Sequence, residues 1–124
     1  MFVDTTLNVR VPLVNAGTTM YGLMPYRGRV IDVMGAVQGA TSDANVNITL
    51  TAPSHGSGVT LGVVNFVHAS SGNVTAKDVG TYTPNTTTGM TVLSAGSIIQ
   101  FAVASTSIGA VTTAAELQVV LSPY

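Results

Sequence analysis

The stretch NVNITLT, residues 45–51, alternates without a break: Val46, Ile48 and Leu50 are separated by Asn45, Asn47, Thr49 and Thr51. Side chains along an extended chain point to opposite faces in turn, so this segment reads as a strand with one aliphatic face and one face of amides and hydroxyls. The same period of two recurs outward in both directions. TLNVRVPLV, residues 6–14, repeats it through Leu7, Val9 and Val11, and Pro12, which has no N–H for a ladder, marks an edge strand or a strand broken there. GRVIDVMGAV (28–37), GVTLGVVNFV (58–67), MTVL (90–93), GSIIQFAVAS (96–105) and ELQVVL (116–121) are further aliphatic and β-branched runs. A short strand around TTMYGLM (18–24) brings the expected total to about eight.

Between these runs lie NAG, QGATSDA, APSHGSG, SAG and TSIGA, which combine glycine with small polar residues suited to turns. No capped amphipathic helix competes, although TTAAEL (112–117) has the composition for a single helical turn. Many short strands without helical crossovers predict an all-β fold: one antiparallel β-sandwich domain over residues 1–124, jelly-roll-like, with an N-terminal arm over 1–6. The longest connection, residues 68–89, exceeds ordinary loop length; it is either a functional loop or the place of an unrecognised hairpin such as NVTAKDVGTYT.

Composition narrows the function. A chain of 124 residues is long enough to bury roughly two thirds of its unfolded surface, and with no cysteine it has neither disulfides nor thiolate metal sites. Charged residues are 7% of the chain, where a soluble domain carries roughly a quarter. With 46% apolar residues and a formal charge of −1, little repulsion keeps copies apart, so much of the surface is expected to be covered by other protein. Arg10, Arg27, Arg29 and Lys77 are too few to neutralise a phosphate backbone, which disfavours nucleic acid. The apolar runs are shorter than the roughly 20 residues of a membrane helix, and MFVDTTLNVR lacks the pattern of a secretory signal, so synthesis in the cytoplasm is expected.

Few residues offer chemistry. His55 and His68 sit in turn-like contexts with no carboxylate close in sequence to orient either ring, and the chain is rich in hydroxyls because strands favour threonine, so both histidines read as loop residues rather than catalytic bases. Asp4, Asp32, Asp43, Asp78 and Glu116 show no ligand-pair spacing among themselves or with the histidines, and no metal or other cofactor is expected. The glycine-rich GATSDANVN and GSGVTLG precede strands, which lack the helix N-terminus that makes a phosphate loop work. Sequons at Asn47, Asn73 and Asn85 are expected by chance in a threonine-rich chain. Tyr21, Tyr26, Tyr82 and Tyr124 fit either a sugar-stacking platform or interface anchors, and the absence of tryptophan weakens the former.

The arrangement VPLVNAGTTMYGLMPYRGRVIDVMGAVQGATSDANVNITLT (11–51), followed by glycine-rich turns, aliphatic strands and a closing ELQVVLSP, resembles the small β-sandwich head decoration (cement) proteins of tailed bacteriophages. The resemblance is a pattern of turns and apolar positions over most of the chain, and it finds no counterpart for residues 68–89. It implies a non-enzymatic protein on the outer surface of the virion capsid, a homotrimer bracing neighbouring copies of the major capsid protein. The alternative from another class is a trimeric receptor- or carbohydrate-binding module of a tail or head fibre, using Tyr82, His55 and the loops; a hydrolase is more remote.

In MPYRGRVIDVMGAV (24–37), Arg27 and Arg29 are one residue apart, so in an extended chain they share a side while Asp32 falls on the other. Two arginines without a carboxylate in their own strand suit acidic or carbonyl groups on a neighbouring protein, where forked donors fix register; the bland reading is that both only solubilise the surface. Arg27, Arg29, Tyr26 and Arg10 are the candidate assembly contacts.

Overall fold

The computed structural model describes residues 4–13, 17–53, 58–69, 72–104 and 113–124. Its elements are eight strands: β1 (Thr5–Pro12), β2 (Thr19–Leu23), β3 (Gly28–Val37), β4 (Asn45–Ala52), β5 (Val59–Val67), β6 (Gly80–Pro84), β7 (Ile98–Val103) and β8 (Ala114–Pro123). They form two antiparallel sheets, β1-β8-β3 and β2-β7-β4-β5-β6. The first strand lies beside the last and the chain changes sheet repeatedly, which is the jelly-roll-like sandwich that the period-two pattern predicts. The seams between sheets are close: β1 packs beside β2, and a bridge between Ala36 and Val79 ties β3 to the segment entering β6.

The alternation at 45–51 carries through to the packing. Val46, Ile48, Leu50 and Ala52 are fully buried, whereas Asn47, Thr49 and Thr51 between them are partly exposed on the outer face. Facing them inside are Val9, Val11, Val33, Leu117, Val119 and Leu121 from the smaller sheet, with Phe66 and Phe101 among the largest buried side chains. Pro12 ends β1, and β1 is an edge strand, as a missing N–H requires.

Three expectations are corrected. MTVL is not a strand: only Leu93 turns inward, through a bridge to Gly28, while the flanking residues make turns. Residues 68–89 are not one loop, nor do they hold the expected NVTAKDVGTYT hairpin, because β6 pairs along β5 from Phe66↔Gly80 to Gly62↔Pro84. TTAAEL makes no helical turn over its described part; Ala114 to Leu117 already belong to β8. The total of eight stands because one missed strand replaces one that does not form. Residues 1–3 of the expected arm lie outside the described residues, and Thr5 and Thr6 already pair with β8.

Candidate interaction surfaces

None of the five strands of the larger sheet contains a charged residue. Its outer face can be followed in register: Thr19 pairs with Ala102, Ala102 with Thr49, Thr49 with Val63, and Val63 with Thr83. In a parallel row the Asn65 side-chain amide donates to the side-chain oxygen Oδ1 of Asn47, and Thr81 stands opposite Asn65. At the β2 end Tyr21 (61% exposed) and Leu23 (59%) extend the face, and at the opposite corner Val67 is 52% exposed. The result is a broad surface of hydroxyls, amides and apolar groups, with Tyr21 and Leu23 at one end. Removing it from water strands no charge, which is the usual obstacle to burying a protein surface.

The four basic and five acidic residues all lie elsewhere. On the smaller sheet Arg10 stands opposite Glu116 in the β1–β8 register and forms an ion pair with it, so this candidate assembly residue is engaged within its own chain. The pair is exposed and contributes at most about 1 kcal/mol. Tyr26 is also committed: its hydroxyl donates to the Leu121 carbonyl (3.1 Å), hydrogen-bonds the Thr5 hydroxyl (2.8 Å), and its ring packs on the core. Gly28 makes this possible, since a β-carbon there would lie 2.4 Å from the Ser122 carbonyl oxygen and 3.1 Å from the Tyr26 ring.

Arg27 and Arg29 converge, as a shared side requires, but on an unforeseen partner. Their guanidinium carbons lie 5.3 and 5.6 Å from the centre of the Tyr124 ring, within cation–π range. The Tyr124 N–H donates to the Arg27 carbonyl (3.0 Å), which extends the β3–β8 ladder past Gly28 and Pro123 and sets ring and arginines at one end of the sheet. The expectation for Asp32 is overturned. The register slips between Val30 and Asp32, so Ile31 is an extra residue and Asp32, opposite Val120, comes to the face of Arg29, opposite Ser122. It still forms no ion pair with either arginine, and its carboxylate accepts the Val33 N–H (2.8 Å).

His68 has a carboxylate after all. Its Nδ1 lies 3.0 and 3.1 Å from the two oxygens of Asp78, which also accepts the Thr75 N–H at 2.8 Å. That backbone hydrogen bond, with His68 beside it, holds the Asp78 carboxyl below the ordinary carboxylate range. Lys77, at a φ of 73°, makes the left-handed turn that delivers Asp78 to the ring. The pair ties the end of β5 to the segment before β6. Among the described residues no three histidine or acidic side chains are grouped to hold a metal. Two open clefts, of about 310 Å³ beside Met34, Ala36 and Gln118 and about 480 Å³ beside Arg10, Gln38 and Thr113, have no histidine among their described lining residues. His55 lies outside the described residues.

Tyr82, a candidate for sugar stacking, instead fills the β3–β6 seam. Its ring occupies the space a β-carbon on Gly62 would need, at 2.6 Å, and its hydroxyl donates to the Leu61 carbonyl (3.1 Å). Burial, reinforced by Asp32, pushes its pKa up to about 12 from an ordinary 10.0. Between those values the unfolded chain releases a proton that the folded chain keeps, so stability falls as pH rises through this window. A phenolate absorbance titration is expected to show a step near pH 12 that Tyr82→Phe removes; an unchanged titration would mean that the ring is not held in the seam.

Among described residues no helix is long and apolar enough to cross a membrane. No known protein family and no curated protein matches the chain.

Proposed function

We propose that this chain is a structural, non-enzymatic virion protein: a decoration (cement) protein, made in the host cytoplasm, that binds the outer surface of a tailed-phage head as a homotrimer and braces neighbouring major capsid subunits. The observation that carries the reading is the outer face of the five-stranded sheet, which has no charge on any strand in a chain whose charged residues all lie elsewhere. Antiparallel sheets that face water normally alternate apolar-in with polar and charged-out. Here the outward positions are filled as the core of a protein interface is, with charge depleted. Two or three contacts of standard size, each burying about 800 Å² of one partner, would cover roughly a quarter to just over a third of the 6318 Å² surface. The fibre-module alternative loses support at Tyr82, whose ring and hydroxyl are both engaged inside the domain.

Image reconstruction of particles assembled with and without this chain tests the proposal. Density for the sandwich is expected across the head surface, with the five-stranded face turned toward protein, together with a solution mass of three copies that changes little with salt. Density confined to a tail or head fibre, or glycan binding by the isolated protein with no head occupancy, would replace the cement reading with the fibre module.

A further inference from the structure

We infer that the corner formed by Arg27, Arg29 and Tyr124 is a carboxylate-binding site for an acidic segment of a protein partner. Two guanidinium groups on one ring repel each other, and no carboxylate side chain among the described residues lies within ion-pair distance of either. Asp32, which the bulge brings to the same face, is held by the Val33 N–H. The Arg29 Nε is shut away from water and has no hydrogen-bond partner. A buried donor without an acceptor is unfavourable, so the site is poised to gain from an anion that draws the guanidinium round.

The geometry selects the anion. The Tyr124 backbone is bound to the Arg27 carbonyl and both guanidinium groups stack on its ring, so the two forks are gathered at one place before a ligand arrives, which lowers the ordering cost of binding. Planar forks match a carboxylate through two parallel hydrogen bonds, and phosphate offers the same chemistry. An acidic protein segment is favoured over a nucleic acid because Arg10 is already paired with Glu116, leaving only Lys77 besides the corner to follow a phosphate backbone. The Tyr124 ring, 63% exposed, offers such a segment apolar contact beside the charges. This assignment does not depend on the cement reading, since the corner lies on the other sheet.

The test is a titration of the isotopically labelled full chain with hexaglutamate, followed by NMR, with hexaglutamine, inorganic phosphate and a short single-stranded oligonucleotide as separate arms. Hexaglutamate is expected to shift the signals of Arg27, Arg29 and Tyr124 and to bind more weakly as salt rises. The double variant Arg27→Ala, Arg29→Ala is expected to stay folded, with a melting temperature no lower than that of the wild type because the unpaired donor and the repulsion are gone, and to bind at least 10-fold more weakly; the Arg→Lys pair, charged but without forks, should fall between. Absence of shifts at the corner in the wild-type chain would overturn the site. Equal affinity for phosphate or the oligonucleotide would overturn the acidic-segment assignment. Undiminished binding in the alanine pair would show that the arginines only solubilise the surface.

Discussion

Replacing Phe66 with alanine is expected to destabilise the domain by about 3–5 kcal/mol, at the upper end for this change, and to lower its melting temperature by on the order of 10–20 °C. Phe66 is fully buried on β5 and its ring reaches to β3 and β6, the seam that the Ala36–Val79 bridge also ties. Its ring would stand 3.2 Å from a β-carbon on Gly35 in β3 and 2.9 Å from one on Gly80 in β6. Both of these neighbours are glycines, which have no side chain of their own to move into the space the ring leaves. The cost of a core truncation depends on how far the surroundings collapse, and two glycines beside the ring limit that collapse. Domains of this kind are stable by only about 5–15 kcal/mol, so the variant should unfold at much lower urea, with an unchanged slope if unfolding stays two-state. Phe66→Leu, which keeps most of the volume, should lose much less. A loss below about 1 kcal/mol for the alanine variant would show that the ring does not wedge the sheets together.

The same glycines show what was legible from residues alone. Alternation over 45–51 located β4 because each inward aliphatic group has a polar neighbour on both sides, and GRVIDVMGAV matched β3 end to end. β6 escaped because its sequence, GTYTP, offers a single large side chain, Tyr82; its inward partner at Gly80 is an absence, there to admit Phe66. MTVL carries the apolar content of a strand, but its Leu93 is needed at one point, beside Gly28, and not along a ladder. At the surfaces, the shared side of Arg27 and Arg29 followed from their spacing, whereas Tyr124 and the bulge at Ile31 depend on the register with β8. That register is set by packing of distant segments and leaves no local mark. Arg10 with Glu116, 106 residues apart, and His68 with Asp78, joined by the turn at Lys77, were hidden for the same reason. The uncharged face was visible only as a low total of charge; its concentration on one sheet required the strand order.

That concentration leads to the second large effect. If the five-stranded face is the proposed assembly contact, Thr49→Lys is expected to weaken that contact, and with it the trimer or the head occupancy, by at least roughly 30-fold while leaving the domain folded. Thr49 lies on β4 in the middle of the five-stranded sheet, flanked by Ala102 on β7 and Val63 on β5, and its side chain faces outward. In the free domain a lysine there can lift its ammonium into water, so the fold should change by less than roughly 0.5 kcal/mol beyond the small difference in strand preference. In a contact that covers the face the same ammonium is desolvated with no carboxylate on any strand of this sheet to meet it. An unpaired charge in such a position costs about 2–5 kcal/mol, which is a loss of roughly 30-fold to several thousand-fold in affinity. Thr49→Val, of nearly the same shape and without charge, should assemble much as the wild type does and separates charge from shape. Sedimentation and particle occupancy provide the readouts, with circular dichroism as the check on folding. If the lysine variant kept the wild-type mass and occupancy, the five-stranded face would be a solvent face despite its lack of charge, and the low charge of the chain would need another explanation.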